Sequence, residues 1–98
     1  MPGSEISKVK FYYVYVLESI RFDQIYVGYS SDIIKRLKEH NAGLNQSTKS
    51  YRPWTVIYYE ACINENDAKR REKYFKKTQG RRLLKRRLKE YFYSKYSH

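Results

Sequence analysis

The chain has 98 residues, enough for one compact domain and too few for two ordinary ones. Its one cysteine, Cys62, excludes an internal disulfide and any cysteine-built metal cluster. Lysine and arginine number 21 against 10 acids, a formal charge of +11. Such an excess is best offset by an anionic partner, nucleic acid ahead of a ribosomal site, an acidic protein or an anionic membrane.

Taken in chain order, residues 1–8 are polar and expected to fray. Residues 11–17 (FYYVYVL) are apolar or aromatic on both faces, which predicts a central strand covered on both sides. Residues 18–24 are a connection, and 25–29 (IYVGY) a second strand, close enough for an antiparallel hairpin. A first helix is expected over 32–41, capped by Asp32 and stopped by Gly43, with Ile33, Ile34, Leu37 and Asn41 as its inward stripe. Residues 44–53 (LNQSTKSYRP) lack a period and read as a polar, basic surface loop. A third strand covers 54–59 (WTVIYY). A second helix is expected over 65–78 with Asn64 as cap, a break at Gly80, and a third helix over 81–93 with Leu84, Leu88 and Phe92 inward. Residues 94–98 read as a loose tail. The order β-β-α-β-α-α predicts an α/β (α+β) domain over 11–92, a three-stranded antiparallel sheet flanked by three helices. No stretch resembles a signal peptide or a membrane span, so a soluble intracellular protein is expected, with no membrane partner.

The positive charge is unevenly placed. Residues 67–90 carry 12 Lys or Arg against three acids, on segments with helical patterning, and should show one broad basic face. Of the 12 tyrosines, most belong to strands and core, and a few could stack on bases.

The ordered set Tyr13-Val14-Tyr15, Tyr26-Val27-Gly28, Arg36, His40 and Glu72 resembles the GIY-YIG nuclease family. The likeness is to its short standalone bacterial members, related to the N-terminal nuclease domain of the UvrC excision-repair subunit. The two motif tyrosines, Tyr15 and Tyr26, lie 11 residues apart, and Arg36 follows Tyr26 by ten. The stretch 45–54 and the Gly80-Arg81 step also look like that subgroup. The resemblance covers roughly residues 11–90. The first motif glycine is Tyr13 here, and Tyr29 stands where the repair subunit carries lysine. An asparagine that helps several family nucleases bind substrate has no evident counterpart.

The resemblance implies a metal-dependent DNA endonuclease leaving 5′-phosphate and 3′-hydroxyl ends, in a bacterial cytoplasm. Its catalytic residues would be Tyr15, Tyr26, Arg36, His40 and Glu72. Glu72 shares a helix face with Ala68 and Phe75, and a carboxylate there requires either a cationic partner such as Arg36 or a metal. The resemblance favours Mg2+ or Mn2+ on Glu72, completed by waters and substrate phosphate. Tyr15 and Tyr26 read either as sheet packing or as hydroxyls that orient or deprotonate water, Tyr26 ahead of Tyr15 in the second role. Arg36 offers a fork for phosphate oxygens and His40 a proton carrier, unless both are ordinary surface bases. Gly28 would allow the first helix or the substrate to come close.

Thr48, Lys49, Ser50 and Arg52 are expected to grip phosphates from the loop. Arg70, Arg71, Lys73, Lys76, Lys77, Arg81 and Arg82 are expected to bind DNA, or RNA, without reading sequence. The alternative is a binding module that cuts weakly or not at all. Either reading leaves room for a protein partner that supplies targeting.

Overall fold

The computed structural model describes residues 9–96. β1 (Tyr12–Ser19) is the middle strand of a three-stranded antiparallel sheet, with β2 (Ile25–Ser30) on one edge and β3 (Trp54–Cys62) on the other. Its two-sided apolar character follows from that position. Val14, Val16 and Leu17 are fully buried and Tyr15 nearly so. Alternation sorts them into two cores. Val14 and Val16 join Val27, Ala68, Phe75 and Leu84, whereas Tyr15 and Leu17 join Trp54, with Tyr26, Ile33 and Leu37 packed alongside. β1 runs past residue 17 because Glu18 and Ser19 still pair with Thr55 and Trp54 of β3. A bulge between Val16 and Leu17 lets β3 carry one more residue than its partner.

α1 (Ile33–Asn41) covers the face that holds Tyr15 and Leu17. Asp32 caps it, its Oδ1 accepting from the Lys35 N–H at 3.0 Å. Gly43, at φ +80°, turns the chain out of the helix. Of the expected stripe, Ile33 and Leu37 pack inward, but Ile34 is 71% exposed. One residue is a rotation of about 100° in a helix, which carries Ile34 off the stripe.

On the other face lie α2 (Glu65–Phe75) and α3 (Thr78–Arg87), followed by α4 (Lys89–Tyr96). Four α-helices thus stand among the described residues where three were expected. The first break comes at Lys76-Lys77, not at Gly80, which sits inside the first turn of α3. A Cβ on Gly80 would stand 1.9 Å from the Tyr74 carbonyl oxygen, so this glycine lets two helices abut and does not separate them. The second break comes at Leu88, which caps α3 with its N–H on the Leu84 carbonyl. α4 runs into the stretch expected to be a tail. Tyr91 donates a hydrogen bond to the buried Glu18, and Lys95 Nζ lies 2.8 Å from the same carboxylate. Residues 1–8 and 97–98 of the expected tails lie outside the described residues. Among the described residues no helix is long and apolar enough to cross a membrane.

Candidate active site at the edge of β2

The hairpin register sets the site. Tyr15 lies across from Gly28, and Tyr26 across from Leu17, so both tyrosines leave the same face of neighbouring strands. Their rings are 6.5 Å apart, and His40, from the last turn of α1, approaches both, at 5.9 Å from Tyr15 and 5.0 Å from Tyr26. The Tyr15 hydroxyl lies 2.9 Å from His40 Nε2. The phenol edge occupies the space over Gly28, where an added Cβ would come within 2.5 Å of the Tyr15 oxygen. What Gly28 accommodates is thus Tyr15, not α1.

Arg36 stands one turn before His40 on α1. Its guanidinium donates to Glu39 at 3.2 Å with the side chain 48% exposed. Glu72, on α2, has a side chain 19% exposed, and its ion partner is Lys76, one turn on, at 3.3 Å. The expected alternative partner, Arg36, is not the one it takes, because Lys76, the C-cap of the same helix at i+4, is nearer to hand. Lys76 also stands 5.6 Å over the Tyr26 ring. The structure thus brings Tyr15, Tyr26, Arg36, His40, Glu72 and Lys76 around one edge of the sheet. Among the described residues no three His, Cys, Asp or Glu stand together as metal ligands. Glu72, outside any such cluster, is suited to an ion that keeps most of its water and borrows oxygens from a substrate phosphate.

Electrostatics separates the members. Burial pushes the Tyr15 phenol far above its ordinary value, with Tyr26 adding to the shift and the Arg36 guanidinium opposing it. Tyr15 is therefore a neutral phenol at physiological pH. Burial and the Arg36 charge hold the His40 imidazole below its usual value, against the pull of Glu39, so it is neutral near pH 7. The hydrogen bond to Glu39 raises the Arg36 guanidinium further, against its partial burial.

The loop after α1 is more built than its sequence suggests. Thr48 is fully buried, and its Oγ1 lies 2.8 Å from His40 Nδ1. The Thr48 carbonyl accepts from the Trp54 indole at 2.9 Å, and the Asn41 side chain brackets the Trp54 backbone, accepting at 2.6 Å and donating at 3.1 Å. The expectation that Thr48 reaches for phosphates fails on this burial. Lys49, Ser50 and Arg52 are exposed. Among the helix cations, Arg71 donates to Glu60 at 2.8 and 3.2 Å and lies 4.4 Å over the Phe75 ring. It is thereby built into the scaffold, with its side chain 31% exposed. Arg70 pairs with Asp67 at 2.7 Å, both exposed. Lys73, Lys77 and Arg82 are exposed, whereas Arg81 is half-buried, and that burial lowers its pKa. Tyr29 leaves β2 on the opposite face, donating to Glu65 at 3.4 Å with Lys69 5.8 Å over its ring. Two members escaped the sequence reading. Lys76 was expected only on the basic face, although its i, i+4 spacing from Glu72 was visible. Thr48 gave no signal beyond its hydroxyl.

Residues 11–86 match the GIY-YIG catalytic domain. A UPF0213 protein of Streptococcus pyogenes serotype M3 is 40% identical over 70 residues, covering 70% of this chain and 75% of the relative. A UPF0213 protein of Listeria monocytogenes serotype 4b is 37% identical over 73 residues, covering 74% and 81%. No solved structure matches the chain.

Proposed function

The chain belongs to the GIY-YIG family, and we propose that it binds DNA through its basic helices and hydrolyses phosphodiester bonds there with Mg2+ or Mn2+, leaving 5′-phosphate and 3′-hydroxyl ends. The observation that carries the proposal is the convergence of Tyr15, Tyr26, Arg36, His40 and Glu72 at one sheet edge. Tyr26, less enclosed than Tyr15, is assigned to orienting the attacking water and drawing off its proton, with its neighbour His40 as proton carrier. Arg36 presents donors to the phosphoryl oxygens whose charge grows in the transition state. Glu72 would hold the divalent ion, which when bound supplies charge stabilisation to the departing 3′ oxygen. Lys76, now on Glu72, is free to turn to a phosphate. The exposed Lys49, Ser50, Arg52, Lys73, Lys77 and Arg82, with the half-buried Arg81, grip the backbone without reading bases. Choice of substrate then rests on DNA shape or on a protein partner.

A second reading is a nucleic-acid-binding scaffold that cuts weakly or not at all. The net charge of +11 and the pairing of Glu72 with Lys76, outside any three-ligand cluster among the described residues, speak for it more directly than for hydrolysis. RNA is an acceptable partner under this reading. Labelled duplex, nicked, flap and branched DNAs incubated with Mg2+ or Mn2+, beside a Glu72→Ala protein, separate the two. Metal-dependent cutting that vanishes in Glu72→Ala while DNA binding persists supports hydrolysis. Steeply salt-dependent binding with no cutting of any substrate replaces it with the scaffold reading.

A further inference from the structure

Behind the candidate site lies a chain of buried polar contacts, of which the proposed steps use only the imidazole of His40. It runs from the Tyr15 hydroxyl to His40 Nε2 at 2.9 Å, and from His40 Nδ1 to Thr48 Oγ1 at 2.8 Å. The Thr48 hydroxyl in turn reaches the Asn45 carbonyl at 3.4 Å. Tyr15 and His40 are 1% and 2% exposed, and Thr48 is 0% exposed. A neutral imidazole carries one N–H, so the two ring nitrogens play opposite roles. Two considerations choose between them. The Thr48 hydroxyl has a single proton and an acceptor in the Asn45 carbonyl, which leaves its oxygen to accept from His40 Nδ1–H. The Tyr15 hydroxyl also has a single proton. Its other close neighbour, Arg36, has only donors to offer, and His40 Nε2 is the acceptor within reach.

We propose that Thr48 is a positioning residue that fixes His40 in the Nδ1–H form, so that Nε2 takes the Tyr15 proton and the Tyr15 oxygen turns its lone pairs toward Arg36 and the site. The assignment of this cluster as an active centre is the reading given above, and the role of Thr48 in reaction rests on it. The hydrogen-bond directions do not. With the opposite tautomer, His40 would donate to Tyr15, and the phenol would present a proton where a phosphate oxygen or a water is to be met. Thr48 itself is held in register from two sides, by the indole of Trp54 on its carbonyl and by the turn at Asn45, whose carbonyl accepts the Thr48 N–H at 3.2 Å. A hydroxyl at this one loop position thereby decides whether Tyr15 acts as acceptor or donor. No contact between Thr48 and substrate is involved.

The test is the nitrogen spectrum of His40 in the full chain at neutral to mildly alkaline pH, for the natural protein, Thr48→Ser and Thr48→Val. The natural protein and Thr48→Ser are expected to show a protonated Nδ1 and a pyridine-like Nε2. Thr48→Val is expected to lose that pattern, giving averaged tautomers or a proton on Nε2. A natural protein with the proton on Nε2 overturns the proposal, as does a folded Thr48→Val that keeps the natural pattern. Should Thr48→Val fail to fold, the natural protein and Thr48→Ser decide the matter between them. If cleavage is found, it should fall roughly 10- to 100-fold in Thr48→Val, short of full removal of a proton carrier, and recover in Thr48→Ser. The expected spectra together with no cleavage of any DNA would uphold the tautomer assignment and reject the hydrolysis reading alone.

Discussion

Replacing Gly28 by alanine probes the site through its most crowded contact. The added methyl would stand 2.5 Å from the Tyr15 oxygen, 2.6 Å from Cζ and 3.0 Å from Cε1, where ordinary contact starts at 3.4 Å. Tyr15 is 1% exposed, so its ring has no open space to enter and must shift by roughly 1 Å within a packed core. Such a shift carries the 2.9 Å bond to His40 past hydrogen-bonding range. Overpacking costs about 1–3 kcal/mol and an orphaned buried hydroxyl about as much again, while replacing glycine in a strand returns about 0.5–1 kcal/mol. The net loss expected is about 1–5 kcal/mol, each kcal/mol lowering Tm by about 4–8 °C for a domain of this size. Urea unfolding monitored by tryptophan fluorescence measures it directly, since Trp54 packs in the same core as Tyr15. Any cleavage activity should drop by about 100-fold at a temperature where the variant is still folded, as expected for reacting groups misplaced by an ångström. A variant as stable as the natural protein, with the His40 nitrogen spectrum unchanged, would refute the reasoning.

His40 is held below its usual pKa and faces Tyr15, Tyr26, Arg36, Glu39 and Thr48. Below the unfolded histidine value of about 6.5 the unfolded chain binds a proton that the folded one resists, so stability falls as pH drops through that value toward the folded pKa. Unfolding midpoints from pH 8 to pH 5 should show this decline, and His40→Gln should flatten it. Arg71→Ala should cost about 1–3 kcal/mol in urea unfolding, because it strips a partly buried clamp from Glu60 and a cation from the Phe75 ring, yet leave the salt dependence of DNA binding near its natural slope. Arg82→Ala should do the reverse, lowering the salt slope by about 1 with an unchanged midpoint. Lys95→Ala should cost about 1–2 kcal/mol, since it leaves the buried Glu18 with Tyr91 in place of an ion pair whose lysine is only partly screened.

The strands and the first helix were legible because their signals are local. Two-sided apolar character marked β1 as central, the capping aspartate marked the start of α1, and Gly43 its end. The tyrosine spacing likewise put Tyr15 and Tyr26 side by side, since a hairpin register is set by chain length between strands. What misled was glycine as punctuation. Gly80 reads as a helix stop in sequence, but its role is to let Tyr74 of α2 lie against α3, a tertiary fact with no local signature. The loop at 44–53 hides its order for the same reason. Nothing in its polar composition reveals that Thr48 is inside and that Asn41, eleven residues before Arg52, reaches Trp54 to hold the turn. Likewise the cations of α2 look alike in sequence, and only the position of Glu60 on β3 distinguishes Arg71 from its neighbours.

The alternation of β1 has a further consequence for how errors in this chain would express themselves. Val14 and Val16 serve the core shared with α2 and α3, and Tyr15 between them serves the opposite layer. Were the hairpin to pair one position out of step, every side chain of the strand would change layers. Tyr15 would be driven among the helices, and two valines would take its place beside His40. A misaligned chain would thus lose its hydroxyl and spoil its packing in the same event.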